Sequence, residues 1–103
     1  MKILYVGNSN VIEVVLQDAT DDSYLNSATV TMTLKDSSSV DVTGDSWPKT
    51  LSYVAASDGL YRATLDESIG ITSGERYTGY ITAVSGSNTG YWEIPFKAEK
   101  RTS

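Results

Sequence analysis

Between Gly74 and Phe96 the chain reads GERYTGYITAVSGSNTGYWEIPF, and this stretch limits the fold more than any other. Tyr77, Gly79, Ile81 and Ala83 alternate with Thr78, Tyr80 and Thr82, while Trp92, Ile94 and Phe96 alternate with Tyr91, Glu93 and Lys97. Strict alternation is the mark of a strand with one face on a core and one in water, because successive side chains leave a strand on opposite sides. A Gly/Ser/Asn turn from Ser85 to Gly90 separates the two runs, so the pair reads as a β-hairpin.

The same period recurs upstream. Ala28, Val30, Met32 and Leu34 alternate without a fault against Thr29, Thr31, Thr33 and Lys35. A slip of one residue would exchange Met and Leu for Thr and Lys, so the register of this strand is firmly specified. Leu60 to Leu65 places Tyr61, Ala63 and Leu65 on one face, after the turn signal Ser57-Asp58-Gly59. Leu51 and Tyr53 carry another strand, with Pro48 suited to its start or to a sheet edge. Val40-Asp41-Val42 reads as a short strand.

Lys2 to Val6 reads as an edge strand closed by Gly7-Asn8-Ser9-Asn10. Val11 to Gln17 is dense in β-branched residues on both phases, which predicts a central strand covered on both faces in places. Asp66 to Ser73 is the one segment where a helical turn would fit. The sum is seven to eight short strands with turn residues at each gap, the pattern of an antiparallel β-sandwich, with a small barrel as its competitor. The expected core is Ile12, Val14, Leu16, Val30, Met32, Leu34, Tyr61, Ala63, Tyr77, Ile81, Trp92, Ile94 and Phe96.

With 103 residues the whole chain, 1–103, is expected to form one domain, with 98–103 as a flexible C-terminal tail. It contains no cysteine and no histidine. Disulfides, thiolate metal sites and cysteine nucleophiles are therefore out of reach, as are the commonest general base and zinc ligand. GNSN and SGSN lack the helix and lysine of a phosphate loop. No Ser and Lys stand in a catalytic motif, so no enzymatic activity is expected.

A net charge of −5 disfavours nucleic acid, the only basic cluster being Lys97, Lys100 and Arg101 near the C-terminus. No apolar run reaches membrane-spanning length, and the four apolar residues near the N-terminus are too few for a signal-peptide core. Asp18, Asp21, Asp22 and Asn26, and separately Asp36, Asp41 and Asp45, could offer oxygens to Ca²⁺, but neither group has EF-hand spacing. Both read as turn-forming, solvated acids, and no cofactor is expected. Asp66-Glu67 are adjacent, so they point apart and do not form a glycosidase pair.

Two segments carry a family resemblance. Ile71-Thr72-Ser73-Gly74-Glu75-Arg76-Tyr77 resembles the tyrosine-corner segment of immunoglobulin-like and fibronectin type III domains, in which an apolar residue precedes a core tyrosine by six positions. Ser73 departs from it, since proline is usual there. Asp58-Gly59-Leu60-Tyr61-Arg62-Ala63 is similar to the D-G-x-Y-x-A strand opening of immunoglobulin-like domains in phage tail and baseplate proteins, and the order of the other strands is similar as well. The resemblance implies an immunoglobulin-like β-sandwich in a small structural protein of a tailed phage or prophage. It would be made in the cytoplasm of a bacterial host and built into the virion as a capsid decoration, a head–tail part or a tail part. Its partners would be other virion proteins or further copies of itself, not nucleic acid or membrane.

Tyr77 and Trp92 are then structural. Trp47 is expected to plug the core or to stand out as a binding anchor. Tyr80, Val84 and Tyr91 lie on the polar phase of the final hairpin and form the candidate interface, unless the N-terminal strand covers them. The competing function is a cell-surface or carbohydrate-binding module that stacks aromatics on sugar rings.

Overall fold

The computed structural model describes residues 2–17, 25, 27–86 and 88–100. It is all-β: β1 (Lys2–Tyr5), β2 (Asn10–Val15), β3 (Thr29–Asp36), β4 (Lys49–Tyr53), β5 (Leu60–Leu65), β6 (Arg76–Ser85) and β7 (Asn88–Glu99). These seven strands make a single sheet in the order β1-β7-β6-β3-β4-β5-β2, curled until it is nearly a barrel. Every neighbouring pair is antiparallel except β1 and β7.

Curling happens at β4. Its first part pairs with β3 through Val30↔Leu51, Thr31↔Thr50 and Met32↔Lys49, and its last two residues pair with β5 through Ser52↔Arg62 and Tyr53↔Tyr61. One short strand thus hands the sheet from one wall to the other, and the alternating apolar residues of both walls meet in a common core. Val30, Met32, Leu34 and Ile81 come from one wall, and Ile12, Val14, Tyr61 and Leu65 from the other. All eight are buried, on the faces their alternation assigns.

The two ends of the sheet, β1 and β2, do not close on each other by a described ladder. A cleft of about 270 Å³ lies between them, lined by Lys2, Ile3, Asn10, Val11, Ile12, Glu13 and Phe96. Asn10 spans its end like a piece of backbone. Its Oδ1 accepts the Tyr5 N–H at 2.9 Å, and its Nδ2 donates to the carbonyls of Tyr5 and Asn8, each at 3.1 Å. This is how a polar side chain can be buried there without cost.

Several expectations are corrected. Strand β2 is not central: it ends the sheet, and its outer valines are exposed, because β-branched residues on both phases reflect strand propensity as well as burial. Trp92 and Ile94 are only partly buried. Strand β1 pairs with Phe96–Glu99 alone, so at Trp92 and Ile94 β7 is itself the edge and one flank stays open. The tail does not begin at residue 98. Ala98 is fully buried and β7 runs to Glu99, because β1 on one side and the Glu75 carbonyl on the other hold this end.

The hairpin turn is tighter than expected. Ser85 pairs with Asn88, leaving two residues between, and Gly86 supplies the positive φ (62°) that the turn requires. Asp66–Ser73 holds no helix beyond a single turn, closed by the Ile69 N–H on the Asp66 carbonyl at 3.2 Å, and sends Ile69 and Ile71 into the core. Val40–Val42 forms only an isolated bridge, Asp41 to Lys35. The Asp18, Asp21, Asp22 and Asn26 loop and Arg101 lie outside the described residues.

Candidate docking face

Strands β3, β6 and β7 lie side by side, and their outward residues form rows across the sheet. One row is Thr33–Tyr80–Glu93, the next Thr31–Thr82–Tyr91, the next Thr29–Val84–Thr89. Tyr80 and Tyr91 are therefore diagonal neighbours, and their rings stack with centroids 6.3 Å apart and planes at 30°. Tyr91 remains 59% exposed and Val84 40%, while Tyr80 is half-buried beneath its partner. Strand β1 does not lie over this face: it extends the sheet beyond β7.

A charged group borders the pair at each side. Lys35 donates to Asp41 at 2.7 Å, and this bond first, with the charge of Asp41, raises the ammonium above its ordinary value. Desolvation, then the Glu93 carboxylate and Tyr80, push the Tyr91 phenol up. The face thus combines two aromatic rings, an exposed valine, a field of threonine hydroxyls, one cation and one anion. Such a surface can exclude water at its centre and satisfy hydrogen bonds at its rim, which is the composition of a protein interface.

The other singled-out residues are used internally. Tyr77 is buried, and its hydroxyl accepts the Thr72 N–H at 2.8 Å. Trp92 lies on the inner face, away from Tyr80 and Tyr91. Trp47 packs on the core and donates its indole N–H to the Val42 carbonyl at 2.6 Å, so it is a plug and not a free anchor. The acids Asp36, Asp41 and Asp45 do not converge. Asp36 accepts the N–H groups of Ser38 and Val40 in its own turn, Asp41 holds Lys35, and Asp45 holds Lys49. Among the described residues no group of three or more acids, histidines or cysteines is placed to hold a metal ion.

The alternation identifies Tyr80, Val84, Tyr91 and Glu93 as outward on the final hairpin, but Lys35 joins them only through the β3–β6 register, which the sequence does not state. The chain matches no protein-family model, no characterised protein and no solved structure.

Proposed function

We propose that this protein is a non-enzymatic structural module of a phage or prophage particle, an immunoglobulin-like sandwich that docks through the outer face of β3, β6 and β7. The pairing supports the fold reading: β1, β7, β6 and β3 would form one layer, β5 and β2 the other, and β4 the strand that crosses between them. The phage reading rests on the resemblance of Asp58–Ala63 and of the strand order to immunoglobulin-like domains of such particles. The observation that carries docking is the stacked Tyr80–Tyr91 pair, exposed beside Val84 on a face otherwise filled by threonine. The sugar-binding alternative is less well served. A sugar platform offers ring faces to the ligand, whereas these two rings spend a face on each other.

The test is particle occupancy measured beside thermal stability for Tyr91→Ala, Tyr80→Ala and Val84→Asp. Occupancy should fall several-fold, most for Tyr91, with melting temperatures close to wild type because all three are on the outer face. Normal occupancy with all three variants would move the interface elsewhere.

A further inference from the structure

Among the described residues, strand β2 leaves one side of its backbone without a partner from Val11 to Val15. The Leu16 N–H bonds the Gly59 carbonyl at 2.9 Å, and in an antiparallel ladder this sets the alternation. Ile12 and Val14 turn their backbone groups to β5, while Val11, Glu13 and Val15 turn theirs outward. No described strand pairs with that side. Just past the strand, the Leu25 N–H bonds the Leu16 carbonyl at 3.1 Å.

Other open flanks of the sheet carry devices against pairing. Strand β1 is four residues long and begins with Lys2, and the uncovered flank of β7 contains Pro95, which has no N–H to offer. Strand β2, NVIEVV, has neither lysine nor proline. Its outward face presents Val11 at 54% exposure and Val15 at 57%.

We infer that β2 is a homodimerisation edge, joining β2 of a second copy antiparallel about a two-fold axis at Glu13. Outward-turned residues can bond only outward-turned residues, so Glu13 must face Val11, Glu13 or Val15 of the second copy. The Glu13-centred register alone is two-fold symmetric with both valines matched, Val11 opposite Val15 on each side. It is self-complementary and closes as a dimer, not a fibre. The facing glutamates oppose the joint, and each is partly offset by its own cation. Glu13 is held by Arg62 at 2.9 Å on the same face, so the row across the joint reads Arg62–Glu13–Glu13–Arg62, each acid flanked by its own cation. The joint is small, so the dimer is weak and concentration-dependent. It uses the edge of β2 and leaves the β3–β6–β7 face of each copy free.

Sedimentation velocity of the whole chain, over a concentration series into the high micromolar range, tests this directly. Wild type should pass reversibly from monomer to dimer. Val15→Lys, a solvent-facing change, should raise Kd by about tenfold or more. Glu13→Pro should do the same, because it removes the outward N–H on the axis and leaves the β2–β5 ladder whole. Glu13→Gln should tighten the dimer by removing the facing like charges, and Tyr91→Ala should leave it unchanged. Thermal melts of dilute samples show which variants fold, and Val15→Lys carries the test if Glu13→Pro does not. A wild type that stays monomeric throughout, or a dimer that survives Val15→Lys, overturns the inference. A dimer weakened by Glu13→Gln overturns the Glu13-centred register.

Discussion

Tyr61 and Tyr77 are both buried phenols with bonded hydroxyls, yet they do unequal work. The Tyr77 hydroxyl accepts one bond, from the Thr72 N–H on an exposed segment that water can reach. The Tyr61 hydroxyl, on a side chain 1% exposed, accepts the Ala28 N–H at 2.9 Å and donates to the Leu25 carbonyl at 2.7 Å. It thereby ties the chain entering β3 to the opposite wall. Tyr77→Phe should cost about 1 kcal/mol, and Tyr61→Phe about 2 kcal/mol, since two partners lose their bond. Urea midpoints at unchanged m-value would show the ranking, and equal losses would remove the tie from the account. Tyr77 is legible from its spacing to Ile71, whereas nothing local to Tyr61 announces a hydroxyl partner more than thirty residues away. Gly79 is a similar case. It interrupts the apolar run of β6, and its reason is tertiary: a Cβ there would come within 2.9 Å of the Phe96 ring and 3.2 Å of the Met32 sulfur.

At the scale of elements, β4 matters beyond its five residues because, among the described strands, it alone is bonded to both walls. Its approach is fastened by Asp45. That carboxylate accepts the Ser46 N–H at 2.8 Å and the Asp66 N–H at 3.2 Å, and it meets the Lys49 ammonium at 3.1 Å. Burial works to raise the Asp45 carboxyl, but the two amides and the lysine outweigh it and hold it below its ordinary value of 3.8. The Ser68 hydroxyl and amide lower Asp66 in the same direction. A lowered carboxyl keeps the folded state deprotonated where the unfolded chain takes up a proton. The resulting stabilisation is complete above the ordinary value and is lost as pH falls through the folded one. Stability should therefore decline below about pH 4. Asp45→Asn should be less stable by about 1 kcal/mol at neutral pH, and the gap from wild type should close on acidification. Denaturation midpoints of both proteins between about pH 2.5 and 7 would decide it; a constant gap would mean the charge of Asp45 contributes nothing.

For the whole molecule, the parallel pair of β1 and β7 joins the first described strand to the last. Lys2 lies opposite Phe96 and Tyr5 opposite Glu99. Leu4 is fully buried within that pair, opposite Ala98. Leu4→Ala should cost about 2–5 kcal/mol, the range for truncating a core leucine, if β1 is part of the cooperative fold. Calorimetry would measure it, and a loss under about 1 kcal/mol would mark β1 as an appendage that can leave without unfolding the rest. The proposed docking face and the β2 edge lie on different parts of the sheet, so loss of one should not disturb the other.

Alternation by itself determined which side chains of β3, β5 and β6 point inward, because the period of two is a property of each strand alone. It also marked Tyr80, Val84 and Tyr91 as outward. It could not say which inward positions would be covered. Trp92 and Ile94 are in phase with Phe96 but stand where β1 has not yet begun, and Leu4, Ile69 and Ile71 are buried from segments too short or irregular to show a period. Nor could it set the hairpin register. A loop from Ser85 to Gly90 would have placed Tyr91 opposite Val84, whereas the two-residue turn sets it opposite Thr82 and brings it diagonally onto Tyr80. Strand order, the crossing at β4 and the open edge of β2 were likewise decided only by tertiary structure, since a strand's pattern records its two faces and carries no signal for which neighbour bonds its edges.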